Sequence, residues 1–126
     1  MTANQFDLSV RHQEGVAILD LRGEINAFAE RALAAGYDEA EAANPDVVLL
    51  NFEDVAYINS TGIALIVTLL ARARAGRRRL LACGLSDHYV EIFNITRLAD
   101  FMTVFPDESS ALSEAPERAV MSGGTE

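Results

Sequence analysis

Residues 46–76 contain two apolar segments of different period, separated by a short polar corner. The first segment, "DVVLLNF", is a nearly continuous apolar run, which is typical of a strand covered on both faces of a sheet. The second segment repeats its apolar residues at helical spacing, broadly enough to predict a buried helix, and Gly76 is placed to end it. Its predicted core residues are Ile63, Leu65, Ile66, Val67, Leu69 and Leu70. A buried strand followed directly by a buried helix predicts a layered α/β domain.

The first third of the chain adds a hairpin and a helix to this pattern. Two alternating runs on either side of Glu14 and Gly15 predict a β-hairpin. From Phe28 to Ala40 the apolar residues recur at helical spacing, which predicts an amphipathic helix that ends near Pro45.

The last third continues the alternation of strands and helices. "RRRLLACGL" and "FMTVFP" predict two short strands, with Ser86 as the cap of a helix between them and Asp107 at the start of a last helix. We therefore predict one domain over residues 1–113, with a mixed sheet of about four to five strands and about four helices. Residues 114–126 are predicted to form a flexible C-terminal tail.

Composition excludes several classes of function. The chain carries a formal net charge of −9, which disfavours binding to nucleic acid because an acidic surface repels phosphate. All ten cationic residues are arginine, so lysine-dependent chemistry is absent. Cys83 is the only cysteine and His12 and His88 are the only histidines, which leaves too few groups for a metal centre or a catalytic triad. We predict no enzyme activity, no metal and no cofactor.

The location of the protein is predicted from the same residues. The N-terminal "MTANQFDLSV" has neither the basic start nor the long apolar stretch of a signal peptide. The apolar run at residues 63–71 has roughly half the length that a bilayer span needs. We expect a cytoplasmic protein with no membrane span.

Three segments together resemble a known family. "RGEINAF" follows the second predicted strand, "VVLLNFEDVAYINSTGIALIVTLLARARAGRRRLLACGL" forms the centre, and "FNITRLADFMTVFPDESSAL" lies near the end. They are similar to the STAS domain, the module of bacterial anti-sigma factor antagonists, and the similarity extends over nearly the whole chain. The central signature of that family is a strand, then Asp-Ser-Ser/Thr-Gly, then an apolar helix.

The resemblance implies a function and a site. It implies binding to an anti-sigma factor that has a kinase (ATPase) fold, which frees a sigma factor for transcription. It also implies that phosphorylation of Ser60 or Thr61, within the signature, ends this binding. The partner-binding residues that it implies are Glu24, Asn26, Asn59, Ser60, Thr61 and Gly62.

Two positions depart from the usual family pattern. Asn59 stands where the signature has Asp, and Asn26 stands where "Gly-Glu-Leu-Asp" commonly ends. Each change replaces a carboxylate with a neutral amide, so a kinase that reads those charges would meet a weaker site. A regulator that binds its partner but is never phosphorylated therefore stays open.

Several residues also have simpler interpretations. Ser60 or Thr61 could cap the helix, a role worth about 1 kcal/mol, although the second hydroxyl is more than a cap requires because Asn59 or Ser60 could already serve. The arginines of "RARAGRRR" could complement the helix dipole and cover apolar edges, or could form a docking patch for an acidic partner or a nucleotide phosphate. His88 and Cys83 are interpreted as packing residues.

Two alternatives to the main hypothesis remain. The domain could be a scaffold subunit of a larger stress-signalling or transport complex, in which an apolar surface around Phe101, Met102 and Phe105 would matter more than the hydroxyls. It could also form a weak homodimer. A hydrolase that uses Ser60 is disfavoured because no histidine is placed to activate it.

Overall fold

The computed structural model describes residues 5–114 and contains five strands and four α-helices in that part of the chain. The tail predicted at residues 114–126 therefore lies, apart from its first residue, outside the described residues. The elements in chain order are β1 (Asp7–Gln13), β2 (Val16–Ile25), α1 (Glu30–Ala42), β3 (Val47–Ile58), α2 (Ser60–Ala75), β4 (Arg79–Cys83), α3 (Asp87–Ile95), β5 (Thr103–Phe105) and α4 (108–114). Two short 3₁₀ turns, Ala27–Ala29 and Leu98–Asp100, precede α1 and β5.

The five strands form one mixed sheet in the order β1-β2-β3-β4-β5. β1 and β2 are antiparallel and are joined by the predicted hairpin turn, in which Glu14 and Gly15 both have positive φ angles of 47° and 83°. The other three pairings are parallel, and each needs a crossover helix. The predicted mixed sheet and its number of helices are confirmed.

The sheet is covered on both faces, as the apolar run "VVLL" of β3 predicts. Val48 and Leu50 belong to the larger core, under α1, α2 and α3. Val47 and Leu49 belong to a smaller core on the opposite face, together with Ala111 of α4. Alternate residues of β3 thus enter different cores because successive side chains of a strand point to opposite faces.

Several boundaries and burial assignments differ from the sequence prediction. β3 continues six residues past "DVVLLNF" and ends only at Ile58, because its pairing with β2 resumes after two register shifts. Phe28, predicted to lie in the apolar stripe of α1, is 94% exposed and precedes that helix. Val67, predicted as core, is 45% exposed on α2.

Candidate functional site

The predicted site residues come together where β2 and β3 end side by side. Ile25 pairs with Ile58 in the parallel register, so Asn26 and Asn59 are the next residues along each chain segment. The backbone N–H of Asn59 donates to the carbonyl of Ile25 at 3.2 Å. We call residues 59–62 the hydroxyl corner. Of the two implied partner-binding residues in this segment, Glu24 lies within β2 and Asn26 directly follows the strand.

Asn59 caps helix α2. Its backbone is extended, and its Oδ1 accepts a hydrogen bond from the backbone N–H of Gly62 at 2.8 Å. Asn26 caps the 3₁₀ turn Ala27–Ala29 in the same way, because its Oδ1 accepts a hydrogen bond from the backbone N–H of Phe28 at 2.9 Å. Both amides that replace the family's usual carboxylates therefore retain the acceptor oxygen that a cap needs.

Ser60 and Thr61 are left free by this arrangement. Both residues are exposed, and within residues 5–114 neither hydroxyl has a hydrogen-bond partner. They are the first two residues of α2 after the cap, where backbone N–H groups lack helical acceptors. The alternative that either hydroxyl serves as the helix cap is wrong, because Asn59 already does so.

Gly62 fixes how closely the corner packs on β2. A Cβ atom at this position would lie 2.1 Å from the carbonyl oxygen of Ile25 and 2.9 Å from Cγ2 of Ile58. The oxygen belongs to backbone that is paired within the sheet, so it has little room to move. The first turn of α2 is thereby held against the ends of both strands.

Tyr89 supports the corner from α3, a role that the sequence did not reveal. Its ring is buried, and its hydroxyl accepts a hydrogen bond from the backbone N–H of Ile58 at 2.9 Å. Ile58 immediately precedes Asn59, so this contact positions the end of β3. The sequence shows only a tyrosine at an apolar helical position, which gives no indication of where its hydroxyl points.

Two exposed aromatic side chains lie close in sequence to Asn26 and to Asn59, respectively. Phe28 follows Asn26 in the 3₁₀ turn and is 94% exposed, while Tyr57 is 51% exposed and is paired with Glu24 across the strands. Large aromatic side chains that remain in water are common anchors of protein interfaces. An exposed phenylalanine cannot be distinguished from a core phenylalanine by helical spacing alone, which explains why Phe28 was assigned to the core.

The residues that could support catalysis are dispersed. Cys83 is buried at the centre of the smaller core, and this burial raises the pKa of its thiol to about 12. His12 and His88 are exposed on different elements, so His88 is not the packing residue that was predicted, although its ring contacts the edge of Tyr89. Across residues 5–114, no group of three histidine, cysteine or acidic side chains is arranged to hold a metal ion.

Two of the five arginines in the basic segment 72–79 contact α1 or the residues that directly follow it. Arg72 contacts Asp38 and Glu41 at 2.8 Å each, and its guanidinium lies 4.5 Å from the Tyr37 ring centre. Arg78 donates to the Pro45 carbonyl at 3.0 Å. Ion pairs, a ring contact and a backbone hydrogen bond within the domain thus account for these two arginines. Arg74 and Arg77 are exposed and have no ion pair with another described residue.

The apolar surface proposed for a scaffold role does not form. Met102 is buried in the larger core, Phe105 packs against the smaller core on the other face, and only Phe101 is exposed. The three side chains are separated because Phe101 and Met102 lie in the turn before β5 and Phe105 ends that strand. Successive residues along such a segment point in different directions.

Comparison with known proteins identifies the family. The family model described as the STAS domain matches residues 7–111. The chain belongs to the STAS domain family. An anti-sigma-B factor antagonist of Listeria monocytogenes is 27% identical to this STAS domain over 82 residues, which are 65% of this chain and 72% of that protein.

Solved structures agree on the fold. An anti-sigma factor antagonist from Mycobacterium paratuberculosis has a TM-score of 0.78 at 16% identity, covering 90% of this chain and 97% of that chain. The antagonist SpoIIAA in its unphosphorylated form has a TM-score of 0.72 at 18% identity, covering 88% and 97%. The sheet and helices predicted from the sequence are those of the STAS fold. No helix within residues 5–114 is long and apolar enough to cross a membrane.

Proposed function

We propose that this STAS domain is an anti-sigma factor antagonist that binds an anti-sigma factor of kinase (ATPase) fold and thereby frees a sigma factor. The observation that carries the proposal is the pair of exposed hydroxyls of Ser60 and Thr61, held in a rigid corner whose cap is supplied by Asn59. The Listeria relative and two structural neighbours are named as anti-sigma factor antagonists, which supports the same role. Such a protein acts in the cytoplasm, where transcription occurs.

The partner surface combines the hydroxyl corner with the end of β2. Asn26 stands beside Asn59 because each residue directly follows the paired Ile25 and Ile58 of the parallel strands β2 and β3, and Glu24 lies next to Tyr57 in the same pairing. Phe28 supplies a large apolar side chain at the edge of this surface. An interface of this kind gains most of its affinity from a few buried aromatic anchors and uses the surrounding polar groups for complementarity.

The regulatory step is a phosphoryl transfer in which this chain is the substrate. The hydroxyl oxygen of Ser60 or Thr61 forms a bond to the γ-phosphorus of ATP held by the partner, and the bond to ADP breaks. The hydroxyl proton passes to a base of the partner. This STAS domain contributes the nucleophilic hydroxyl oxygen and holds it in position, and the partner supplies the catalytic groups. SpoIIAA has also been solved in a phosphorylated form.

A phosphate at this corner would disturb the partner more than the fold. It adds about −1.5 to −2 charges at neutral pH, which opposes a packed contact through repulsion and desolvation. At the start of α2 the same charge faces unpaired N–H groups and the positive end of the helix dipole, so the helix tolerates it. A loss of about 1.4 kcal/mol in binding free energy weakens the affinity for the partner tenfold, so a small energetic change is enough to release it.

Glutamate substitutions test this proposal. We expect Ser60→Glu and Thr61→Glu to weaken binding to the cognate anti-sigma factor by about tenfold or more, measured by titration calorimetry against each anti-sigma kinase of the source organism. The matched variants Ser60→Ala and Thr61→Ala remove a hydroxyl without adding charge, so they should bind within about threefold of the parent. Circular dichroism and thermal unfolding verify that all four variants retain the fold.

Mass spectrometry after incubation with the binding kinase, ATP and Mg²⁺ identifies the modified residue. If only one of the two alanine variants fails to incorporate phosphate, the residue replaced in that variant is the phosphorylation site. If the glutamate variants bind as tightly as the parent, the corner is not the switch. If none of the kinases binds the parent protein, the antagonist role itself is wrong.

A further inference from the structure

A second surface lies on the opposite side of α2 from α1. It is an open groove of about 430 Å³ between the C-terminal half of α2 and the segment that follows α3. Its floor is apolar and consists mainly of Val67, Leu70, Leu98 and Phe101. Val67 and Phe101 are 45% and 56% exposed, so the groove presents a hydrophobic surface to solvent.

Two arginines border this groove. Arg74 lies with its guanidinium 5.2 Å from the centre of the Phe101 ring, and within the described part of the chain it has no carboxylate partner. Arg97 contacts Asp100 at 2.5 Å, yet its side chain is 76% exposed. No carboxylate is among the residues that line the groove. Arg74 therefore places a positive charge without a carboxylate partner at the edge of an apolar surface, in a protein whose net charge is −9.

We propose that this groove is a docking site for an acidic amphipathic helix of a protein partner. The residues that α2 contributes are spaced as one helical face, from Val67 through Leu70 to Arg74. This face extends for about 10 Å, or two helical turns, at 1.5 Å per residue. An amphipathic helix laid along it would bury its apolar stripe and bring flanking Glu or Asp side chains to the arginines.

Charge and shape favour this occupant over others. The guanidinium of Arg74, which has no carboxylate partner among the described residues, would repel a basic helix and attract an acidic one. The groove is open to solvent, so a partner element can reach its apolar floor. It also begins at Val67, seven residues or about 10 Å along α2 from Ser60, so it is distinct from the hydroxyl corner.

Two designed peptides test the proposal. Each is about 20 residues long with the same leucine stripe, and the other positions are Glu in one peptide and Lys in the other. Both are titrated into the ¹⁵N-labelled full chain while amide shifts are recorded. We expect the Glu peptide to shift signals along the groove and to lose affinity as salt rises, and the Lys peptide to bind at least about tenfold more weakly.

Variants of the chain make the test specific. Arg74→Glu should weaken the Glu peptide by about tenfold or more, and Val67→Glu should do the same by adding charge to the apolar floor. The matched control Arg31→Glu makes the same charge change on the exposed surface of α1 and should alter affinity by less than about twofold. Ser60→Glu should leave peptide binding unchanged, so the groove and the corner can fail independently.

Four results would overturn the inference. Equal binding of both peptides would show that charge does not select the partner, and absence of binding would show that the groove does not accept a helix. Sedimentation that reveals a dimer dissociated by Val67→Glu would make a second copy the occupant instead. Shifts confined to the hydroxyl corner would place the interaction elsewhere.

Discussion

At the hydroxyl corner, different residues provide the close packing, the helix cap and the solvent-accessible hydroxyls. Gly62 permits the close approach to β2, Asn59 supplies the cap, and Ser60 and Thr61 keep their hydroxyls in solvent. Because the cap and the exposed hydroxyls are different residues, modification of a hydroxyl does not remove a bond that holds the helix. This separation suits the switch that we propose for the corner.

Replacing Gly62 with alanine should destabilise the protein by about 1–3 kcal/mol, since the new Cβ would overlap the backbone carbonyl of Ile25. Gly36→Ala is a matched control within α1, where the new Cβ meets only the side-chain tip of Leu8, which can shift. That variant should change stability by less than about 1 kcal/mol, because alanine also favours the helix. Urea unfolding measures both. Equal losses would contradict a special constraint at Gly62.

Helix α2 presents a different function on each side. One stripe, including Ile66, Leu69 and Ala73, is buried against the sheet. A second side joins α1 through Arg72, and a third lines the groove from Val67 to Arg74. The N-terminal end carries the hydroxyl corner. A single helix thus links the proposed switch and the proposed docking groove within one rigid element.

Changing the cap from Asn59 to Asp tests how the family's usual carboxylate acts on this helix. Aspartate keeps the acceptor for the Gly62 N–H and adds a negative charge at the positive end of α2. We expect Asn59→Asp to stabilise the protein by about 0.3–1 kcal/mol at pH 7, whereas Asn59→Ala should cost about 1 kcal/mol. Thermal unfolding in low salt compares the three proteins. A destabilised Asp variant would mean that nearby acids outweigh the helix dipole.

At the scale of the whole molecule, one polar network ties α4 to the sheet on the face away from the other helices. Arg11 of β1 contacts Asp20 of β2 at 2.6 Å and Glu108 of α4 at 2.6 Å. The side-chain amide of Asn51 on β3 also donates to Asp20, at 3.1 Å. These contacts cover the edge of the smaller core, so three strands and the last helix are fixed relative to one another.

The network predicts how stability depends on pH. The hydrogen bond from Arg11 holds the pKa of Asp20 below its usual value. A folded-state pKa below the unfolded value of about 3.9 stabilises the protein fully above that pH, and the contribution is lost as pH falls through the folded pKa. Urea unfolding should therefore show a stability gap between the parent and Asp20→Asn that is constant from about pH 5 to 7 and narrows below about pH 4.

In a protein that already carries Arg11→Gln, the further change Asp20→Asn should alter stability very little. The guanidinium that lowers the pKa of Asp20 is then absent. A gap of equal size at pH 3 and pH 7 would mean that Asp20 acts through its shape and not through its charge.

The order of elements could be predicted because each rests on a local pattern. The positive-φ turn at Glu14 and Gly15, the cap at Ser86 and the two apolar periods around residue 59 all depend on neighbours in the chain. Phe28 and Val67 were assigned to the core for the same reason, since helical spacing gives the period of a face and not what covers it. Tyr89 was missed because its partner, Ile58, is 31 residues away.

The sequence by itself determined that this chain is an acidic α/β domain with a polar corner before a buried helix, because period, turn residues and charge are local properties. Only the tertiary structure decided which polar groups at that corner are used and which stay free. It also decided that Arg72 and Arg78 join two helices while Arg74 faces a groove. Those outcomes depend on the packing of segments that are distant in the chain, and packing distances are not encoded in any single stretch of residues.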